Sequence, residues 1–358
     1  MNALARRIAR MIEMDGPIDI GTYMLLALHD REMGFYATRE SIGAGGAFIT
    51  APEISQVFGE LIGLWCAECW RQQGCPARPL LVDLGPGRGT LVTDVLRATR
   101  TAPDFLQSLE VVLVETSARL ASVQRERLAD APVPMRWVQR WSDVEHRGRP
   151  VFIIANEFFD ALPIRQFVMT ERGWCERMVV AGADGLAFGL SPQASPVHDD
   201  GIARAGAVYE TCPMAMSLAQ EIGAAMATDG GAALLIDYGY AGRQYRDTLQ
   251  AVRDHNRTDV LAGPGEADLS AHVDFAAIAE AVRGAGARAY GPVAQGDFLR
   301  ALGIELRGEQ LARANPDCAA EIAGGIARLV KSEAMGTLFK VLAITPRDAP
   351  SPPGFAIC

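Results

Sequence analysis

Residues 80–90 read LLVDLGPGRGT. Apolar positions run into Asp83, and glycine falls at Gly85, Gly87 and Gly89. Thr90 to Arg97 follow, with Leu91, Val95 and Leu96 on one helical face. This pattern predicts a buried strand, a tight glycine turn and a helix start. Glycine reaches backbone angles that other residues avoid and lets a ligand lie against bare main chain. The helix N-terminus behind the turn offers N–H groups to a polar or anionic ligand. Asp83, at the strand's end, lies beside whatever occupies the turn. The stretch therefore calls for an α/β fold with a nucleotide-like cofactor.

The turn narrows the choice of cofactor. A dinucleotide fingerprint needs G-x-G-x-x-G/A. Counting from Gly85, the sixth place is Thr90, which disfavours a nicotinamide oxidoreductase. Gly85-Pro86-Gly87-Arg88-Gly89 preceded by an acid instead resembles the first motif of class I S-adenosylmethionine-dependent methyltransferases. Such a cofactor carries a ribose whose hydroxyls need an acceptor at the end of the second strand. A carboxylate accepts two hydrogen bonds at once. Glu115, closing EVVLVE, stands in that place, 26 residues past Gly89.

Strands and helices alternate beyond the turn. Glu110–Glu115, Met135–Val138, Val151–Ala155 and Ala232–Ile236 read as strands and Ser117–Leu128 as a helix. Continuous apolar strands of this kind form a parallel sheet covered on both faces. Ligands bind outside the carboxyl ends of such strands, where this chain places Asp83, Glu115, Asn156, Glu157 and Asp237. Pro163–Thr211 reads as short strands, whereas Ala241–Asp274 is polar and without periodicity. Both stretches follow strand ends and can fold over the site. Ala287–Gly291 is a further strand and Leu338–Ile344 a last one, placed to insert antiparallel.

The expected architecture is a Rossmann-like class I methyltransferase fold. Its seven-stranded, mostly parallel sheet carries helices on both faces. Residues 1–78 form an N-terminal helical cap, with Leu4, Ile8, Met11 and Ile12 on one stripe and a glycine-rich loop at Ser41–Glu53. Within the cap, Ile54–Arg71 reads as a helix with Val57, Leu61, Leu64 and Trp65 on one side. Residues 79–345 are the core, with an inserted substrate-side β region, and its insertions fall at about 163–211 and 241–274. Residues 346–358, with four prolines, read as a disordered tail.

Composition excludes several classes. The chain has 358 residues, enough for one large domain or two small ones. A net charge of −9 argues against a nucleic-acid partner, which needs clustered Lys and Arg. No apolar run approaches the roughly 18 residues of a membrane span. The basic start MNALARRIARMIEMDG resembles a mitochondrial presequence only until Glu13 and Asp15, so a cytoplasmic protein is expected rather than a matrix one. Cys66 and Cys69 lie three apart on a helix without further ligands at zinc spacing, so they read as buried reduced thiols and no metal is expected.

Five separated segments then carry a specific resemblance: GGAFITAPEISQVFGELIG, LVDLGPGRGTL, ANEFFDALPIRQF, LLIDYGY and PGEADLSAHVDF. Together they resemble the MidA-type methyltransferases, the family of the mitochondrial complex I assembly enzymes that act on protein arginine. The resemblance runs from about Leu4 to Ile344. It implies S-adenosylmethionine as cofactor, held by Asp83, Gly85, Gly87, Gly89, Glu115 and Asn156. It also implies a protein substrate, in that family a respiratory complex I subunit, and it allows a homodimer.

An arginine acceptor is protonated at neutral pH and presents five donors. Carboxylates fit that fork, fix its plane and offset its charge. Glu157 and Asp160 are the candidate catalytic acids, with His272 as a candidate base. Glu53, Asp237, Tyr238 and Asp268 are candidates for the substrate side. Phe158 and Phe159 are placed to wall the pocket and exclude water. Two other readings fit the same motifs: a non-catalytic S-adenosylmethionine-binding assembly factor, and a small-molecule methyltransferase.

Overall fold

The structure is a computed structural model that describes residues 1–38, 50–197 and 201–355. The chain divides into two compact units. One comprises Met1–Phe48, Asp160–Met216 and Gly242–Asp274, and the other Ile49–Phe159, Ser217–Ala241 and Phe275–Cys358. Most of the glycine-rich loop expected at Ser41–Glu53, residues 41–49, lies outside the described residues.

The second unit is built on a twisted sheet. Seven strands follow in the order Arg288–Ala294, Phe339–Thr345, Gly231–Tyr240, Val151–Asn156, Leu80–Leu84, Glu110–Val114 and Met135–Val138. The five from Gly231–Tyr240 to Met135–Val138 are parallel. Phe339–Thr345 pairs antiparallel with both of its neighbours, as its apolar run after a helical stretch predicts. Leu80–Leu84 and Val151–Asn156 are buried throughout, as strands covered on both faces must be. The register pairs Leu84 with both Val114 and Ala155, and Asn156 with Ile236. The polar residues that follow these strands therefore emerge at one end of the sheet.

Three expectations in this unit are corrected. The strand expected over Ala232–Ile236 runs on to Tyr240, because Asp237 pairs with Lys340 and Tyr238 with Phe339 on the antiparallel neighbour. Asp237 and Tyr238 are thus strand residues rather than loop residues past a strand end. Leu64, expected on the buried side of its helix, is exposed, while Val57, Leu61 and Trp65 are buried. The proline-rich tail is packed as far as residue 355. The Trp65 indole N–H donates to the Pro353 carbonyl oxygen at 3.0 Å, and Phe355 is buried against Phe298 and Tyr290. One aromatic side chain buries enough area to order a short proline-stiffened segment.

The first unit has its own core. The helices Ala3–Asp15 and Ile20–His29 are capped by Asn2 and Asp19, whose side chains accept the Ala5 and Thr22 amides. Leu4, Ile8 and Ile12 face Tyr23, Met24 and Leu28 in one apolar cluster with Ile164 and Val179. Four antiparallel strands follow one another in the order Ile18–Asp19, Gly173–Gly182, Arg165–Thr170 and Val208–Thr211, and Gly185–Ala194 pairs with Gly173–Gly182 as well. The polar stretch after residue 241, expected without regular structure, forms a small antiparallel sheet of Gln250–Arg253, Asn256–Thr258 and Asp268–Ser270. Its hairpin turns on Asp254 and His255, both left-handed at φ 49° and 63°. That geometry suits a two-residue hairpin, but the glycine that usually announces one is missing.

Candidate active site

The strand Leu80–Leu84 ends in a turn in which Gly85, Gly87 and Gly89 take φ values of 68°, 56° and 79°. The Gly89 amide donates to the Pro86 carbonyl oxygen at 2.8 Å, and Gly89 caps the helix Thr90–Ala98. At Gly85 a side chain is excluded by contact as well as by angle, since a Cβ there would lie 2.8 Å from Cδ2 of Phe158. The Phe158 ring is half-buried and stands edge-on to the buried Phe159.

Asp83 is 1 % exposed, and its Oδ2 has no hydrogen-bond partner among the described residues. Burial, reinforced by the charge of Glu115, pushes its carboxyl up to about 8. Glu115 follows the neighbouring strand. Its Oε1 accepts the Ser117 amide at 2.7 Å and its Oε2 the Gln124 side-chain amide at 3.1 Å. Burial still raises its carboxyl above the usual range, against the effect of those bonds.

Asn156 and Glu157 close the strand Val151–Asn156. The Glu157 amide donates to the Ile236 carbonyl oxygen at 2.9 Å, and Glu157 itself is left-handed at φ 51°. A non-glycine residue held there stores strain, a feature that clusters at functional sites. Its Oε1 accepts the Ala51 amide at 3.0 Å and the Asn156 side-chain amide at 3.1 Å. The other end of that Asn156 carboxamide, Oδ1, is buried without a partner among the described residues.

Asp237 is 1 % exposed and serves the main chain. Its Oδ2 accepts the amides of Phe158 and Phe159 at 3.2 and 3.0 Å, and its Oδ1 that of Tyr238 at 2.9 Å. It holds the turn that carries Glu157. Tyr238 packs edge-on against Phe339 in the core. Glu53, in the short helix Ala51–Ile54, accepts the Thr90 hydroxyl, which in turn accepts an N–H of Arg127 at 2.6 Å. It therefore stands at the start of the helix that follows the glycine turn.

The remaining candidates lie in the first unit. The Asp160 carbonyl oxygen accepts the Ala271 amide at 3.0 Å. Asp268 accepts the Tyr36 hydroxyl at 3.1 Å. The His272 amide donates to Oγ1 of Thr248 at 2.9 Å, and the Thr248 hydroxyl donates to the buried Glu210. Glu210 also accepts the Gln166 carboxamide at 2.6 Å, and burial raises its carboxyl.

Comparisons with known proteins bear on this geometry. The family model described as "Putative S-adenosyl-L-methionine-dependent methyltransferase" matches residues 61–293. Relatives named "Protein arginine methyltransferase NDUFAF7, mitochondrial" are 36% identical in Xenopus tropicalis, over 97% of this chain and 86% of the relative. The Homo sapiens protein of that name is also 36% identical, over 96% and 84%. A Burkholderia thailandensis protein solved with S-adenosyl-homocysteine bound superposes with a TM-score of 0.87 at 30% identity, covering 98% of this chain and 94% of that one. The chain belongs to this methyltransferase family. Its fold is the Rossmann-like one expected, and its cofactor is S-adenosylmethionine.

The residues of the methyltransferase fit that cofactor. Two buried oxygens, Asp83 Oδ2 and Asn156 Oδ1, have no partner among the described residues. An unpaired buried polar atom costs about 1–3 kcal/mol, and a polar cofactor laid along these strand ends would remove that cost. The glycine turn presents bare main chain beside them, and Glu115 brings a carboxylate to the next strand end. Sequence reasoning missed Gln124. It is wholly buried, donates to the Gly87 carbonyl oxygen at 2.7 Å as well as to Glu115, and accepts the Trp137 indole N–H at 3.0 Å. The signal was present, because Leu120, Ala121 and Gln124 share a buried helical stripe, and a polar residue on such a stripe needs a reason.

Proposed function

We propose that the methyltransferase transfers a methyl group to an arginine side chain of a partner protein. One observation carries the reading: a carboxylate, Glu157, is held in a strained left-handed conformation at a strand end, fixed by Ala51 and Asn156. A fixed carboxylate is what a guanidinium fork needs. The names of the curated relatives agree with it.

When bound, S-adenosylmethionine supplies an electrophilic methyl group. Asp83, Asn156 and the main chain at Gly85, Gly87 and Gly89 would hold it, and Glu115 would accept its ribose hydroxyls. Glu157 accepts N–H groups of the arginine, fixes the plane of the guanidinium and offsets its charge. Fixed orientation of this kind accounts for much of the rate of a displacement reaction. Asp237 keeps the Glu157 turn in place through the backbone amides of Phe158 and Phe159. Phe158 excludes water beside the turn. The proton that the methylated nitrogen gives up leaves to solvent. Glu53 acts through Thr90 on the cofactor helix rather than on the substrate.

The partner in this reading is a protein, in line with the complex I assembly role of the resembling family. The relatives named above are mitochondrial. No helix among the described residues is long and apolar enough to cross a membrane.

Glu157→Gln tests the assignment. Radiolabelled methyl transfer to an arginine-containing partner should fall by about 100-fold or more, while S-adenosylhomocysteine affinity and thermal stability stay near wild type. Wild-type turnover by this variant, or label recovered on a residue other than arginine, defeats the reading.

A further inference from the structure

The second unit carries a feature that methyl transfer does not use. A depression of about 380 Å³ is lined by Arg283, Arg288 and Arg347 together with Ala287 and Ala289. All three arginines are exposed, and none forms an ion pair among the described residues. Several arginines elsewhere in the same unit are paired: Arg97 and Arg307 share Glu60, and Arg136 and Arg149 share Glu110. Three arginines line one depression in a chain whose net charge as a whole is −9. Such a grouping makes a local positive field that attracts an anion.

The three side chains come from three elements. Arg283 ends the helix Phe275–Gly284, Arg288 opens the edge strand Arg288–Ala294, and Arg347 follows the last strand. Edge strands are commonly guarded by charge against pairing with other chains. That purpose explains Arg288 but requires neither of the other two. Arg288 is also oriented, with its guanidinium over the Tyr290 ring at 5.2 Å from the centroid, so part of its side-chain freedom is already lost.

We propose that this depression is a binding site for a multiply charged oxyanion, a phosphate or polyphosphate group. Planar guanidinium forks match phosphate oxygens in pairs. The lining offers no aromatic face or wide apolar wall, so the anion is recognised by charge and fork geometry rather than by a ring attached to it. The site is separate in chemistry from the acidic residues assigned to methyl transfer.

Thermal shift and calorimetry on the full chain test this, with pyrophosphate titrated against sodium chloride at constant ionic strength. Saturable binding in the range of 0.1–1 mM, roughly, is expected for a few charge-assisted contacts. The double variant Arg283→Ser/Arg347→Ser should weaken it by about tenfold or more, and Arg313→Ser, an exposed control in the same unit, should leave it unchanged. S-adenosylhomocysteine affinity should match wild type in all of these variants. A phosphoserine-bearing acidic peptide and its unphosphorylated form identify the source. Tighter binding of the phosphopeptide assigns the anion to a protein, and tighter binding of pyrophosphate assigns it to a free small molecule. No saturable binding of either probe, or equal binding by the double variant, overturns the proposal.

Discussion

The carboxamide of Gln124 donates to the Gly87 carbonyl oxygen at 2.7 Å. The same nitrogen donates to Glu115 at 3.1 Å, and the carboxamide oxygen accepts from Trp137. One buried side chain thus ties the glycine turn to the acid on the next strand. It fixes the spacing between the glycine turn and the acid that faces the ribose.

Gln124→Leu should keep the fold and loosen that spacing. Gly87, Glu115 and Trp137 would each lose a partner, at about 1–3 kcal/mol for a buried group left unpaired. The expected outcome is a fall in S-adenosylhomocysteine affinity of about tenfold or more by calorimetry, with a melting temperature lower by several degrees. Unchanged affinity would show that Gln124 only packs.

Gly85→Ala meets two obstacles, a left-handed φ of 68° and a contact at 2.8 Å with Phe158. The variant should lose about 1–3 kcal/mol of stability, together with cofactor affinity, because Phe158 has to move. Pairing it with Phe158→Ala should restore part of the stability and little of the affinity. Denaturant midpoints and S-adenosylhomocysteine titrations of the single and double variants separate the two effects. Gly87→Val, which puts a β-branched residue at a left-handed φ of 56°, should abolish cofactor binding and leave most of the fold.

Asp83 makes stability fall with pH in the cofactor-free protein. Its folded carboxyl is held up to about 8 against an ordinary value of 3.8. Between those values the folded chain keeps a proton that the unfolded chain has released, so stability declines as pH rises from about 4 to about 8 and is level above. Asp83→Asn removes this contribution. Its denaturant midpoint should exceed wild type at pH 8 and approach it at pH 4. A constant difference between the two proteins across that range would contradict the burial of a protonated Asp83.

Phe355→Ala tests the packed tail. Removing a buried aromatic ring costs about 3–5 kcal/mol where the site does not collapse, so a drop of several degrees or more is expected in calorimetric melting. A freely moving tail would show no change.

Much of the core was readable in the sequence because its signals are local. An apolar run into Asp83, a glycine turn and an amphipathic helix constrain one another within about twenty residues. The same holds for the strands ending at Glu115 and Asn156, since residues buried on both faces leave continuous apolar runs whatever lies beside them. The order of parallel strands then brought their ends, and so Asp83, Glu115, Asn156 and Glu157, to one end of the sheet.

What only the tertiary structure decided depends on partners distant in the chain. Asp237 and Tyr238 read as loop residues until Phe339–Thr345 extends their strand, and Asp237 then serves backbone amides some 80 residues away. The proline-rich end looks disordered until Phe355 reaches Phe298. Gln124 falls on the stripe of Leu120 and Ala121, but its partners, the Gly87 carbonyl and Glu115, meet it only in the fold. Hydrogen bonds and packing of this kind form between groups that the backbone path alone brings together, and they leave no periodic trace in the sequence.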